Sequence, residues 1–269
     1  MSFKIGFTAG TEENKVADEV IPAASRTTQV KKSLVRVYFA ERNLTCTYYN
    51  DMFDLSVGDI VYVDGKLEGI RGRVVEVSYS FKIKLSDYKK VIAVIDTNVK
   101  VDFYLAGSHV VSFDRNAIPF SKVLTWFKTP ENDEDYVSGN DDTNRFPLDD
   151  LSKMKISHDA ADRGHDYYIE NRVGFVEVDG TRGHAIVEGS ENYEIEFDYI
   201  DSEISNLKCS CFCSGDCKHE FAAMLQLKES LELITENYED EYNGYFAIIS
   251  KGAFMNTVMI KKVSGKIRF

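Results

Sequence analysis

Between Cys209 and His219 the chain reads Cys-Ser-Cys-Phe-Cys-Ser-Gly-Asp-Cys-Lys-His, so four of its five cysteines and a closing histidine fall in one short run. Clustered thiols beside an imidazole are the donors of a tetrahedral zinc site. The run offers more donors than the four that zinc takes. Cys209, Cys211, Cys217 and His219 form a Cys-x-Cys pair and a Cys-x-His pair, with room for a loop in which Gly215 is free to take a positive φ. The alternative set, Cys211, Cys213, Cys217 and His219, leaves only Ser214, Gly215 and Asp216 to turn the chain. The first set is the expected one. Four protein ligands leave no open position, which predicts a structural Zn2+ site whose binding energy contributes to folding. Redox thiols usually come as Cys-x-x-Cys, which the run lacks.

The flanks of the run read as a compact unit. Tyr193, Ile195, Phe197 and Tyr199 alternate with Glu194, Glu196 and Asp198, the period of a strand. After a turn at Asp201-Ser202, a second strand is expected over residues 203–208. A helix is expected from Lys218 to about Leu233, with Phe221, Met224, Leu225 and Leu231 on one face and Leu227 and Ile234 flanking it. The unit is then hairpin, zinc knuckle and helix. Upstream, residues 157–170 suggest a helix capped by Ser157 or Asp159.

Cys-Ser-Cys, a short loop, Cys-Lys-His and an Ala-containing apolar helix resemble the SWIM-type zinc finger. The resemblance extends upstream through Arg163-Gly164, Tyr167-Tyr168, Arg172-Val173, Ala185-x-Val187-x-Gly189-Ser190 and Tyr193, the lead-in of bacterial members. It covers roughly residues 157–230. The chain departs from the pattern at Phe212, where a proline is common, and in the additional Cys213. SWIM fingers occur beside Swi/Snf-type helicases, in Mutator-type transposases and in partners of recombination proteins. The resemblance therefore implies contact with DNA, or with a DNA-processing protein such as a Swi/Snf-type helicase.

The first part of the chain reads differently. Short β-prone runs are expected at residues 2–8, 33–40, 44–49, 57–63, 72–77, 91–95 and 110–113, with a turn at Asp64-Gly65 and a loop over residues 8–28. Close spacing of short strands favours a small all-β barrel. Val-Gly-Asp-x-Val-x-Val and Gly-x-Val-x-x-Val resemble SH3-like barrels of the KOW or Tudor kind. Cys46 is expected in the core. A short helix over residues 119–128 carries Trp126, and residues 131–142 read as an acidic linker. The expected architecture is α+β, with a β-rich barrel-like domain over residues 1–127, an acidic linker over 128–147 and a SWIM-like zinc domain with a basic tail over 148–269. Near the end, residues 244–260 suggest a helix or a strand–helix pair, and residues 266–269 a terminal strand.

The net charge of −12 is unevenly spread. Residues through Pro130 hold 18 Lys/Arg against 15 Asp/Glu, and the remainder 14 against 29. Such asymmetry suggests separate surfaces for separate partners. Nucleic-acid candidates concentrate in the more basic part: Lys31, Lys32 and Arg36 before and within a strand, Arg71 and Arg73 around a turn, and Lys82 and Lys84 among Tyr79, Phe81 and Tyr88. Cations neutralise phosphate and aromatic faces stack on bases. The competing reading is an edge strand guarded by lysines.

No apolar run approaches transmembrane length, and the N-terminus lacks a secretory pattern, so a cytoplasmic protein with reduced thiols is expected. No Gly-rich phosphate loop or nucleophile elbow is present, and the expectation is a binding protein, not an enzyme. Two readings follow: a zinc-stabilised module that contacts DNA, or an adaptor that docks a helicase or recombination partner without touching DNA.

Overall fold

The structure is a computed structural model that describes residues 30–99, 102–130, 144–211, 213, 215–258 and, for the backbone alone, 267–268. The run at 2–8, the loop at 8–28 and the acidic stretch at 131–142 lie outside the described residues.

The first sheet is built from β1 (Ser33–Phe39), β2 (Leu44–Asn50), β3 (Ile60–Val63), β4 (Gly72–Ser78) and β5 (Val91–Ile95). Its order is β2-β1-β4-β3-β5, all antiparallel. The two edge strands approach each other at one parallel bridge, Tyr49 with Lys90, where the Tyr49 N–H donates to the Lys89 carbonyl at 2.9 Å. Alternation sets the faces: Val35, Val37 and Phe39 are buried while Arg36 is exposed. Gly72 is required by its neighbours, because a Cβ there would lie 2.2 Å from Val37 Cγ1. Cys46, expected in the core, is half-buried and packs against it from the side.

The second sheet gathers strands from the middle and the end of the chain. In order come β6 (Phe103–Ala106), β7 (His109–Ser112), α1 (Phe120–Phe127), β8 (Phe146–Pro147), α2 (His158–Ile169), β9 (Val173–Asp179) and β10 (Arg182–Glu188). They are followed by β11 (Asn192–Ile200), β12 (Glu203–Cys209), α3 (Lys218–Asn237), β13 (Tyr245–Ser250), α4 (Lys251–Val258) and β14 (Ile267–Arg268). The sheet runs β14-β6-β7-β13-β9-β10-β11-β12-β8. Its ladders are antiparallel except that β14 pairs parallel with β6. The chain is thus α+β with two sheets. The short strands expected near residues 91–113 divide between them: β5 closes the first sheet, while β6 and β7 belong to the second. Local alternation marks a strand but does not name its partner, and β13, which lies beside β7, arrives from far along the chain.

One face of the large sheet packs on α3, through Val176, Val178, Ala185, Val187 and Ile195 against Ala222, Ala223, Met224 and Leu227. The other face carries Phe175, Ile186, Tyr245 and Ile249, which meet Val123 and Trp126 of α1, Phe254 and Val258 of α4, and Ile60, Tyr62 and Ile95 of the first sheet. The two sheets therefore share a core. Trp126 ties them further by donating Nε1–H to the Asp96 carbonyl at 2.8 Å. Each fully buried large apolar side chain contributes about 1.5–3 kcal/mol.

Ser157 caps α2, accepting the Ala160 N–H on its hydroxyl at 3.3 Å. The helix expected from Lys218 runs on to Asn237; of its expected face Met224 is buried, as are the flanking Leu227 and Ile234. Ala222, Ala223, Met224, Leu227 and Ile234 are buried, while Phe221, Leu225 and Leu231 are half-buried. The helix is wedged between the sheet and α2, so it buries two flanks, where the sequence pattern suggested one stripe.

Candidate metal centre

The Cys/His run sits where β12 ends and α3 begins. Cys209 is the last residue of β12, held in register opposite Ile195. The chain then turns, and the turn is pinned to the hairpin twice. Ser210 donates its N–H to the Glu194 carbonyl at 2.9 Å, and the Ser210 hydroxyl accepts the Glu194 N–H at 2.9 Å. Cys217 is the N-cap of α3, and Glu220 accepts the Cys217 N–H on its carboxylate at 2.6 Å. Such a reciprocal box fixes the entry angle of the helix. His219 follows in the first turn.

The ligand atoms of Cys209, Cys211, Cys217 and His219 all lie within 4.8 Å of one another, an arrangement that can hold a metal ion. His219 Nδ1 is 3.8 Å from Cys209 Sγ and 3.7 Å from Cys217 Sγ. This is the first of the two ligand sets read from the sequence. Cys213 is exposed and outside the converging group. No disulfide joins the described cysteines, which are all free.

The surroundings tune the donors. Burial pushes the Cys211 thiol up to about 12. Cys217 is raised further, first by its hydrogen bond with Cys209 and then by burial. Burial, with Lys218 adding to it, brings His219 down to about 4, so the imidazole keeps its lone pair at neutral pH. The Cys211 and Cys217 thiols hold their protons until a cation displaces them.

The imidazole is clamped by rings. Tyr193 of β11 stacks on it, and Tyr167 of α2 meets it edge-on at 5.5 Å and 61°. Above Tyr167 lie Arg172, at 4.7 Å from the ring centroid, and Lys218, at 4.6 Å. His219 Nε2 is buried without a hydrogen-bond partner. The close approach of α2 depends on Gly164, where a Cβ would come within 2.8 Å of the Lys218 carbonyl oxygen. Asp216 anchors the loop from the other side, accepting the Lys155 N–H at 2.7 Å.

The other sequence candidates lie away from the Cys/His run in sequence, and Arg36 and Arg73 stand on the paired strands β1 and β4. Lys31, Lys32, Arg36, Arg73, Lys82 and Lys84 are exposed on the first sheet and its loops. Arg36 pairs with Glu76 at 2.9 Å. Arg71 departs from the group, reaching Thr257 Oγ1 of α4 at 3.4 Å. The acidic residues of β11 are met by polar neighbours: Glu194 pairs with Lys128, Asp198 accepts from Asn206 at 2.6 Å, and Glu196 lies opposite Lys208 and His184 in the ladder. His109 is a buried core residue with Nε2 at 2.8 Å from the Val173 carbonyl, and His158 pairs with Asp162 at 2.9 Å.

Sequence reasoning missed the roles of Tyr167 and Tyr193. Both appeared in the family-like lead-in, but their stacking on His219 depends on α2 and β11 meeting at one point. No helix of the described residues is long and apolar enough to cross a membrane. No protein-family model, curated protein or solved structure matches the chain.

Proposed function

We propose that the chain is a zinc-stabilised, SWIM-like nucleic-acid-interaction protein of the cytoplasm, acting by binding and not by catalysis. The observation that carries the reading is the convergence of Cys209, Cys211, Cys217 and His219. For zinc bound by thiolate and imidazole, an S···N tetrahedral edge is about 3.6 Å. The separations of 3.7 and 3.8 Å at His219 agree with that edge. Bound zinc would ionise the three thiols and tie the end of β12 to the start of α3, a structural role with no open coordination position. The first sheet, with its edges touching at Tyr49 and Lys90, is read as a small SH3-like barrel. Its exposed Lys31, Lys32, Arg73, Lys82 and Lys84 supply phosphate contacts, and exposed Tyr79 supplies a face for stacking.

The test is fluorescence anisotropy of zinc-loaded protein against single- and double-stranded DNA over a range of salt. Binding should be saturable and should weaken with salt. Replacing Lys82 and Lys84 together by Met should weaken it for every sequence and lower the salt slope by about two. No binding at low salt would overturn the reading.

A second reading has its own support. Met52, Val57 and Leu85 on the loops of the first sheet are 61%, 65% and 58% exposed, and the Glu76 pairing occupies Arg36. These features suit an adaptor that docks a DNA-processing protein such as a Swi/Snf-type helicase. An adaptor would ignore DNA and form a stable complex with such a protein.

A further inference from the structure

A polar cleft opens where the first sheet meets the second, lined by none of the residues of the Cys/His run. Its volume is about 480 Å³, within the range of small-molecule sites. Element ends converge on it. Arg71 stands just before β4, Phe127 closes α1, Glu188 ends β10, Asn192 begins β11, and Lys251 and Asn256 belong to α4. Ligand sites favour such junctions.

The walls carry both signs of charge. Arg71 presents a planar fork of donors suited to phosphate, and exposed Lys251 adds a second cation. Lys251 commits one donor to the Gly107 carbonyl at 2.6 Å and has others to give. Glu188 supplies a carboxylate. It lies exposed at the end of β10, in the field of Arg71 and Arg172.

The apolar wall is fixed in place. Phe127 lies against the backbone of β9 at Gly174, where a Cβ would be 2.6 Å from the ring and 3.1 Å from Glu188 Oε1. Asn192 holds the end of α1 by donating Nδ2–H to the Phe127 carbonyl at 2.6 Å. The missing side chain at Gly174 thus makes room for both the ring and the carboxylate.

We propose that this cleft binds a nucleoside monophosphate, with Arg71 and Lys251 on the phosphate, Glu188 accepting from the ribose hydroxyls and Phe127 packing on the base. A simple anion would face Glu188 with nothing to satisfy it. A free amino acid would use the two charges but leave the aromatic wall and most of the volume unfilled. A nucleotide brings an anion, a diol and a flat apolar face in one molecule, and the Asn256 amide offers a donor and an acceptor to its polar edges. The inference does not rest on the metal centre or on DNA binding.

The test is calorimetric titration of the zinc-loaded full chain with AMP, GMP, CMP and UMP, with adenosine and inorganic phosphate as probes of the two halves. At least one nucleotide should bind saturably, about tenfold or more tighter than phosphate alone. Arg71→Met, and independently the surface change Lys251→Met, should each weaken that binding about tenfold. Glu188→Gln should weaken the ribonucleotide more than its dideoxy analogue. The melting temperature of each variant reports that it is folded. Lack of binding by all four nucleotides at millimolar concentration would overturn the assignment. So would wild-type affinity in a folded Lys251→Met and Glu188→Gln double variant.

Discussion

The Tyr193 ring lies flat against the His219 imidazole, with centroids 4.0 Å apart and planes 19° apart. The stack fixes the plane of the ring, and the plane fixes where Nδ1 points. A ligand so held does not lose rotational freedom when the metal binds.

Tyr193→Phe should therefore keep metal affinity within about threefold, because the ring is retained. Tyr193→Ala should lower it about tenfold or more, the scale of a lost supporting group around a metal ligand. Competition with a chromophoric chelator would measure both, and equal affinities in the two variants would refute the orienting role.

The four ligands and the outlying thiol should separate by metal content. Wild-type protein should carry about one zinc per chain by elemental analysis. Cys209→Ser should lose it, while Cys213→Ser should keep it, since Cys213 is exposed and outside the cluster. The reverse pattern would favour the alternative ligand set.

Metal binding should strengthen as pH rises. The Cys211 thiol stands at about 12 and Cys217 is raised too, so a bound cation displaces protons that re-enter as pH falls. With more than one proton displaced, apparent affinity should change by more than about tenfold per pH unit near neutrality. His219 stands at about 4, so its protonation does not begin the loss above pH 5. The added stability that metal confers follows its occupancy, and is present at neutral pH and lost on acidification. A melting temperature that holds constant from pH 8 to pH 5.5 with and without chelator would contradict this.

Gly164→Ala should destabilise the protein by about 1–3 kcal/mol, because its Cβ would meet the Lys218 carbonyl oxygen at 2.8 Å and α2 must move. Exposed Gly215, where a Cβ would meet nothing within 4 Å, gives the control. Gly215→Ala should leave thermal unfolding nearly unchanged. Equal effects at the two positions would mean that α2 does not approach α3 as closely as described.

Much of the site was readable in the chain because it is local. Cys209, Cys211, Cys217 and His219 lie close in sequence, so spacing alone constrained their geometry, and alternation along β11 and a serine cap on α2 marked the neighbouring elements. The stacking of Tyr193 on His219 was not readable, since it needs the hairpin and the helix to meet in space. The partition of strands was hidden for the same reason. Nothing near His109–Ser112 announces that Tyr245–Ser250 will lie beside it. Arg71 looked like one more surface cation, and only the meeting of the first sheet with α4 sets it at the mouth of a cleft.

The place of β13 between β7 and β9 has a consequence for how the molecule is made. During synthesis β7 leaves the ribosome long before its neighbour exists, and it must wait with one edge unpaired until Tyr245–Ser250 emerges. The first sheet is in the same position, since Ile60, Tyr62 and Ile95 rest on residues as late as Phe254 and Val258. A nascent chain stopped short of residue 245 exposes apolar surface on both sheets at once. Growth from the N-terminus therefore does not give assembly from the N-terminus, and β13 and α4 act as the keystone that closes the fold.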